Sequence, residues 1–435
     1  MAKISHLLLV LGLILASSLV RCTGLPAGGA TPSRPLASPV SLTEPPRATG
    51  SPPAPSPTPQ EPQVLRLWVP PQFDPASKAP AGRLFKARLD EFQELNPGVV
   101  IETRLKAVDG PGGLLDSLTT ASAAAPQALP DLVALPRDLL ETAALKGLLL
   151  PLDDLTDALD EPDWYPYATE LASLGSDVYG FPFAGDALTQ AYRPALTPDP
   201  LADFQDVLGS SEPVIFPAAG DQSDFTLALY QAEGGEPVDN QGRPYLDPRL
   251  LTQVLSFYTS AEATGVMSST LLTQLQTEEQ VWDAFMGQRA GSAILWSSTF
   301  LQNQSGNLGL APIPTHRGDP FTLATGWVWA LAGRDQSKRE LAVELAEFLT
   351  DSQFLAEWTP AAGYLPSRPS ASSQWPKQQM RPIIDQIALS ARLFPPKDIL
   401  SSLDNPLQQA VLSVLKKESS PLSAAEDAAA SLTGP

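Results

Sequence analysis

The sequence predicts an α/β protein of two packed units, with a mainly parallel sheet covered by helices on both faces. Three observations predict it. The segment from Val64 to Gly147 alternates short apolar runs with stretches of helical spacing, in the order β-α-β-α-β-α. Helix start and stop residues sit where those periods change. The chain has 435 residues, 43 % of them hydrophobic, which is enough for more than one core.

The elements follow in order. Val64–Val69 reads as a buried strand. Arg83 to Leu95 carries apolar residues at 85, 89 and 92, the spacing of one helix face, and Asn96-Pro97-Gly98 stops it. Val99–Leu105 is the next strand, Leu114–Ala124 a helix and Leu132–Leu135 a short strand. Asp138 is placed to cap a helix running to Lys146, with Gly147 just past its end. Further on, Asp247 before Pro248 marks a cap and a first-turn proline for a helix through Tyr258. Thr277 and Gln280 form a capping box for a helix ending at Gly287. Strands are expected at Ser292–Trp296, 307–312 and Thr325–Leu331. Ser337 and Glu340 form a second capping box, and Ile383–Leu393 and Leu407–Leu415 read as closing helices.

Composition narrows function. Lys plus Arg total 28 against 48 Asp plus Glu, a net charge of −20 that repels phosphate backbones, so no nucleic-acid partner is expected. One Cys and two His leave no intrachain disulfide, and a Cys/His zinc cluster is nearly excluded. A Ser-His-Asp triad has only His316 to use once the N-terminus is removed, and His316 reads as a loop residue. No Gly-x-Ser-x-Gly elbow, phosphate loop or His-Glu-x-x-His motif occurs, and Gly110–Gly113 reads as a turn. No cofactor and no metal is expected.

The N-terminus reads as a targeting segment over 1–22. Lys3 precedes an apolar run, Leu7–Leu15, followed by small residues, the layout of a secretory signal. Leu19-Val20-Arg21-Cys22 resembles a lipobox, with Arg21 where a small residue is usual. Lipidation of Cys22 implies an anchor on the outer face of the cell membrane, and cleavage after Ser18 a soluble secreted protein. Residues 23–62 hold twelve prolines among Ser, Thr, Ala and Gly, a disordered tether with too little apolar surface to fold.

Several segments together carry a family resemblance. Phe92–Pro97 with Gly98 resembles a first helix turning into the second strand. Leu129–Val133 resembles a "Pro-Asp-apolar" strand, and Leu145–Asp153 a "Gly-x-Leu-x-Pro-Leu" step. Val178–Phe183 followed by Ala191-Tyr192-Arg193 resembles a crossover segment, with Arg193 where Asn is usual. Gly287–Ile294 resembles the return strand. In this order, from about 62 to 400, they resemble the extracellular solute-binding proteins of ABC importers, in the maltose-binding-protein-like class.

That resemblance implies a two-lobed, periplasmic-binding-protein-like fold that closes by a hinge on a solute and is not an enzyme. Lobe one would hold 63–185 plus 293–333, and lobe two 186–292 plus 334–435, with hinges at Asp186 and at Ala293–Trp296. The implied partners are a small, sugar-like molecule, the importer's permease subunits and the membrane through the lipid anchor, the protein itself being a monomer. A receptor-coupled sensor of the same fold and a secreted glycoside hydrolase are the alternatives.

The candidate ligand residues follow from the same resemblance. Asp186 matches a crossover carboxylate able to accept from two hydroxyls, or is a loop acid or helix cap. Trp296 lies where stacking aromatics occur, or packs in the core. Tyr364 sits in a cleft loop, Trp68 ends the first strand, and Trp327 shares one strand face with Trp329. Trp164, Tyr165 and Tyr167 form an aromatic stretch, and Arg193 offers itself to an anion or a surface salt bridge.

Overall fold

A computed structural model describes residues 62–304 and 306–432. The targeting segment, Cys22 and almost all of the proline-rich tether lie outside the described residues. Among the described residues there are eleven strands: β1 (Gln63–Val69), β2 (Val99–Leu105), β3 (Leu132–Pro136), β4 (Ser173–Leu174), β5 (Asp177–Val178), β6 (Phe181–Tyr192), β7 (Val214–Ile215), β8 (Ser292–Trp296), β9 (Gly309–Ala311), β10 (Thr322–Leu331) and β11 (Ala391–Leu393). Nine form one sheet, whose main path runs β2-β1-β3-β10-β6-β8-β7, with β11 beside β10 and β9 beside β6.

The sheet is mixed, where a mainly parallel one was expected. β1 lies parallel to β2 and β3, and β7 to β8, but β10 runs antiparallel to β3 and β6, and β6 antiparallel to β8 and β9. The reason is that β6 and β10 are long enough to serve two cores, and the chain traverses them in opposite directions. Phe181, Phe183 and Ala184 of β6 pack with β1–β3 and the helices Pro80–Leu95, Gln336–Phe348 and Ser352–Ala362. Ala187, Leu188 and Ala191 pack with β7, β8 and the helices Asp224–Ala232, Pro248–Thr264, Glu278–Met286 and Lys397–Leu415. β10 divides likewise, Leu323 and Ala324 on one side and Trp327–Leu331 on the other.

These cores divide the chain differently from the expected lobes. β8 and Phe300 belong to the second core, and Ala342–Ala356 belong to the first. Ala293–Trp296 is therefore not a crossing, because both of its neighbours, β6 and β7, meet it inside lobe two. The crossing at Asp186 does coincide with the change of core. The second strand there is β10, and a third segment passes at Tyr364–Leu365, where Gly185 exchanges two 2.8 Å backbone hydrogen bonds with Leu365.

Two glycines face each other at this crossing, Gly185 on β6 and Gly326 on β10, next to a register shift between Trp327 and Val328. A Cβ on Gly185 would lie 2.0 Å from the Tyr167 hydroxyl, and one on Gly326 2.4 Å from the Ala184 carbonyl. The missing side chains let the helix Pro166–Ala172 sit directly on the strands, where Tyr167 donates to the Pro366 carbonyl at 2.8 Å.

Local signals held where a single competing residue was absent. Asp247 accepts from the Arg249 and Leu250 amides, and Thr277 with Gln280 makes the full capping box. The expected box at Ser337 is displaced by Asp335, whose carboxylate accepts from the Ser337 amide, so that helix begins at Gln336. Asp138 lies inside the first turn of Arg137–Leu145 rather than capping it. The helix expected over 383–393 ends at Ser390 and gives way to β11, which pairs with β10.

Candidate functional site

The carboxyl ends of β7 and β8 open onto a cavity of about 180 Å³ in lobe two. Open α/β sheets place ligands at such strand ends. After β7 the chain turns through Phe216–Ser223 before the helix Asp224–Ala232, and β8 ends at Trp296. The helix Glu278–Met286 starts at the same opening. Gly220 allows these loops to meet, since a Cβ there would lie 2.5 Å from the Gln276 carbonyl. The Ala219 amide donates to the Leu275 carbonyl at 3.0 Å, tying the two walls together.

Trp296 joins the two acids of the cavity. Its backbone N–H donates to Glu278 Oε1 at 2.6 Å, its side chain hydrogen-bonds Asp224, and its ring lies 5.3 Å from that of Phe394. Burial pushes the Asp224 carboxyl up to about 7, reinforced by the charges of Asp404, Glu278 and Asp221. Burial also pushes Glu278 up to about 7, against the opposing pull of the Trp296 amide and Thr299. Both acids therefore keep their protons to higher pH than ordinary carboxylates.

Asp186 stands beside this cavity but does not line it. Its Oδ1 accepts from the Ser297 hydroxyl at 2.7 Å and the Ser298 amide at 2.9 Å, and its Oδ2 from the Ser298 hydroxyl. It therefore fastens the helix Ser297–Gln302 to β6, as a helix cap supplied from another element. Burial raises its carboxyl to about 6, held down partly by those serine bonds.

Tyr364 and Trp327 come together in lobe one, packed against the edge of Phe73 at 5.7 and 5.0 Å between ring centres. Gln302, Gln72 and Trp327 surround the Tyr364 hydroxyl, and burial raises its ionisation well beyond the ordinary phenol range. Trp327 is 9 % exposed and Tyr364 8 %, so both side chains are mainly core. Trp68 is deeper, 3 % exposed, with the Lys106 ammonium 4.8 Å from its ring centre, and meets neither group.

The remaining candidates are structural. Arg193 donates to the Phe285 carbonyl at 2.6 Å and lies over that ring. Tyr165 bonds Asp385, and Trp164 stacks under Arg368 at 3.8 Å. His316 pairs with Glu233 at 3.0 Å. Among the described residues, no group of three or more His, Cys, Asp or Glu is arranged to hold a metal ion, and no helix is long and apolar enough to cross a membrane.

Sequence reasoning missed Asp224, Glu278 and Phe216. Glu278 was legible only as the second residue of the Thr277 capping box. Phe216 and Asp224 flank a Pro-Ala-Ala-Gly-Asp turn after an apolar run, a pattern that marks a strand end without saying what gathers there.

Comparison places this geometry among known folds. A cyclo/maltodextrin-binding protein complexed with maltotetraose superposes with a TM-score of 0.70 at 20 % identity, over 86 % of this chain and 97 % of its own. The sugar-binding protein MalE of Xanthomonas citri gives 0.70 at 17 % identity, over 85 % and 96 %. A protein solved with mannotriose bound, CpMnBP1, gives 0.59 at 19 % identity, over 85 % and 100 %. These identities establish a shared two-lobed fold. No curated protein matches the chain. Residues 87–382, more than half of the sequence, match the profile of the bacterial extracellular solute-binding proteins, and the chain belongs to that family.

Proposed function

We propose that the protein captures a small saccharide between its lobes by hinge closure, performs no bond chemistry on it, and delivers it to the permease of an ABC importer. The observation that carries this reading is the cavity beneath Trp296. An indole beside two carboxylates supplies a flat apolar face for the C–H side of a pyranose and acceptors for its hydroxyls. The saccharides named for the structural neighbours, maltotetraose and mannotriose, support it. Tyr364, Trp327 and Gln72 form the lobe-one wall of the proposed cleft, and Asp186 positions the lobe-two wall. Trp68 belongs to the core.

Membership of an extracellular family puts the folded body outside the cytoplasm. The finer arrangement is part of the proposal: a monomer, lipidated at Cys22 and held off the membrane by the proline-rich tether.

Titration calorimetry with maltotriose and mannotriose tests the capture. Saturable binding with intact saccharide recovered afterwards is expected. Released monosaccharide would point to hydrolysis instead, and heats equal to dilution with every saccharide tried would remove the reading.

A further inference from the structure

We propose that the saccharide carries a protonated amine, which Asp224 and Glu278 hold. This rests on the saccharide reading of the cavity and specifies its chemistry.

The cavity is lined by Asp221, Asp224 and Glu278, and by no Lys, Arg or His. Behind Asp224 stands Asp404 on the helix Lys397–Leu415, which accepts from the Ser223 amide at 3.1 Å. On the neighbouring helix, Tyr258 is neutral and bonded to Thr226. Behind Glu278 stands Asp186 on β6. Among the described residues, the charged groups named beside the two acids, Asp404, Asp221 and Asp186, are themselves acids.

Several carboxylates elsewhere meet cations, whereas Asp186 is satisfied by serines instead. Glu141 meets Arg137 at 2.8 Å, Glu262 meets Lys417 at 2.8 Å, and Asp163 and Glu161 share Arg368. Placing like charges around a cavity without a counter-ion costs free energy that a bound cation returns.

The walls favour the same ligand. Phe216 and Phe225 meet edge to face at 5.1 Å beside Trp296, and aromatic faces attract cations. Neutral side chains, Gln222 and Gln276, also line the cavity and suit hydroxyls. An anionic sugar would meet unscreened acids and be rejected. Because burial raises both acids, an ammonium group favours their ionised forms and displaces protons on binding, whereas a neutral sugar leaves them in place.

Calorimetry on the full chain with chitobiose, its N-acetylated form, cellobiose and maltotriose separates these cases. The measurements are made at a pH where the ligand amine stays protonated, in two buffers of different ionisation enthalpy. Chitobiose is expected to bind at least about tenfold tighter than the neutral sugars and to release protons. The double variant Asp224→Asn, Glu278→Gln, checked for native circular dichroism, is expected to lose that preference and the proton release together. Cellobiose or maltotriose binding as tightly as chitobiose, without proton release, overturns the amine and leaves the saccharide reading standing. Absence of binding by all four overturns both.

Discussion

Trp296 illustrates how one residue is given several tasks by its position. It ends β8, occupies the position before the short helix that Asp186 caps, and hydrogen-bonds both cavity acids. If its ring also covers the ligand, Trp296→Ala should weaken saccharide binding by about 2 kcal/mol, roughly thirtyfold, in a calorimetric titration. An unchanged affinity would return Trp296 to the core. The acids beside it make a second prediction, about pH. The ordinary values of Asp224 and Glu278, 3.8 and 4.5, rise to about 7 in the folded protein. The folded state then holds more protons than the unfolded chain between those limits. Their contribution to stability is fully present below about pH 4 and is lost as pH rises through about 7. Scanning calorimetry of the ligand-free protein should show Tm falling from pH 5 to pH 8, and the Asp224→Asn, Glu278→Gln variant should flatten that slope. Identical slopes would contradict the assignment.

Among the elements, β6 decides the architecture. Its twelve residues carry side chains for two cores, and its Gly185 is the point where they change over. A methyl group at Gly185 meets the Tyr167 hydroxyl at a distance no packing tolerates. Gly185→Ala should therefore destabilise the protein by about 1–3 kcal/mol in urea unfolding, since the helix Pro166–Ala172 must lift from the strands. Retained stability would mean that helix is loosely seated. The apolar run recovered β1, and helical spacing recovered Pro80–Leu95, which buries Phe85, Leu89 and Phe92 on one face. Periodicity missed β6, whose ends Val178–Phe183 and Ala191–Arg193 were marked only by the family resemblance, because a strand buried on both faces shows no alternation. The same ambiguity hid β11 at the end of an apparent helix. The Ser337 capping box failed for a different reason: Asp335, two residues earlier, accepts from both the Ser337 amide and the Ser337 hydroxyl, so the helix starts before Ser337.

At the scale of the whole molecule the lobes touch away from the crossing strands as well. Lys397, on a helix of the second core, meets Asp138, on a helix of the first, at 2.9 Å, and the Asp138 bond raises the lysine's ionisation. Both side chains are well exposed, so the pair is worth under about 1 kcal/mol. Lys397→Ala should change saccharide affinity less than about fivefold, and high salt should abolish even that difference. A larger effect would make this contact a latch on closure. X-ray scattering should show a smaller radius of gyration when saccharide binds, as required of a jaw that shuts. The sequence by itself determined the alternating α/β pattern, the helix caps at Asp247 and Thr277, the scarcity of His and Cys, and through its ordered motifs the family. These are local or compositional properties, readable from neighbours along the chain. Only the tertiary structure decided which helices serve which core, that β6 and β10 run antiparallel through both, and that Asp186 spends its oxygens on Ser297 and Ser298. It alone brought Asp224, Glu278 and Trp296, more than seventy residues apart from first to last, around one opening. Such convergence depends on strand order and register, which long-range packing chooses and no short window of sequence contains.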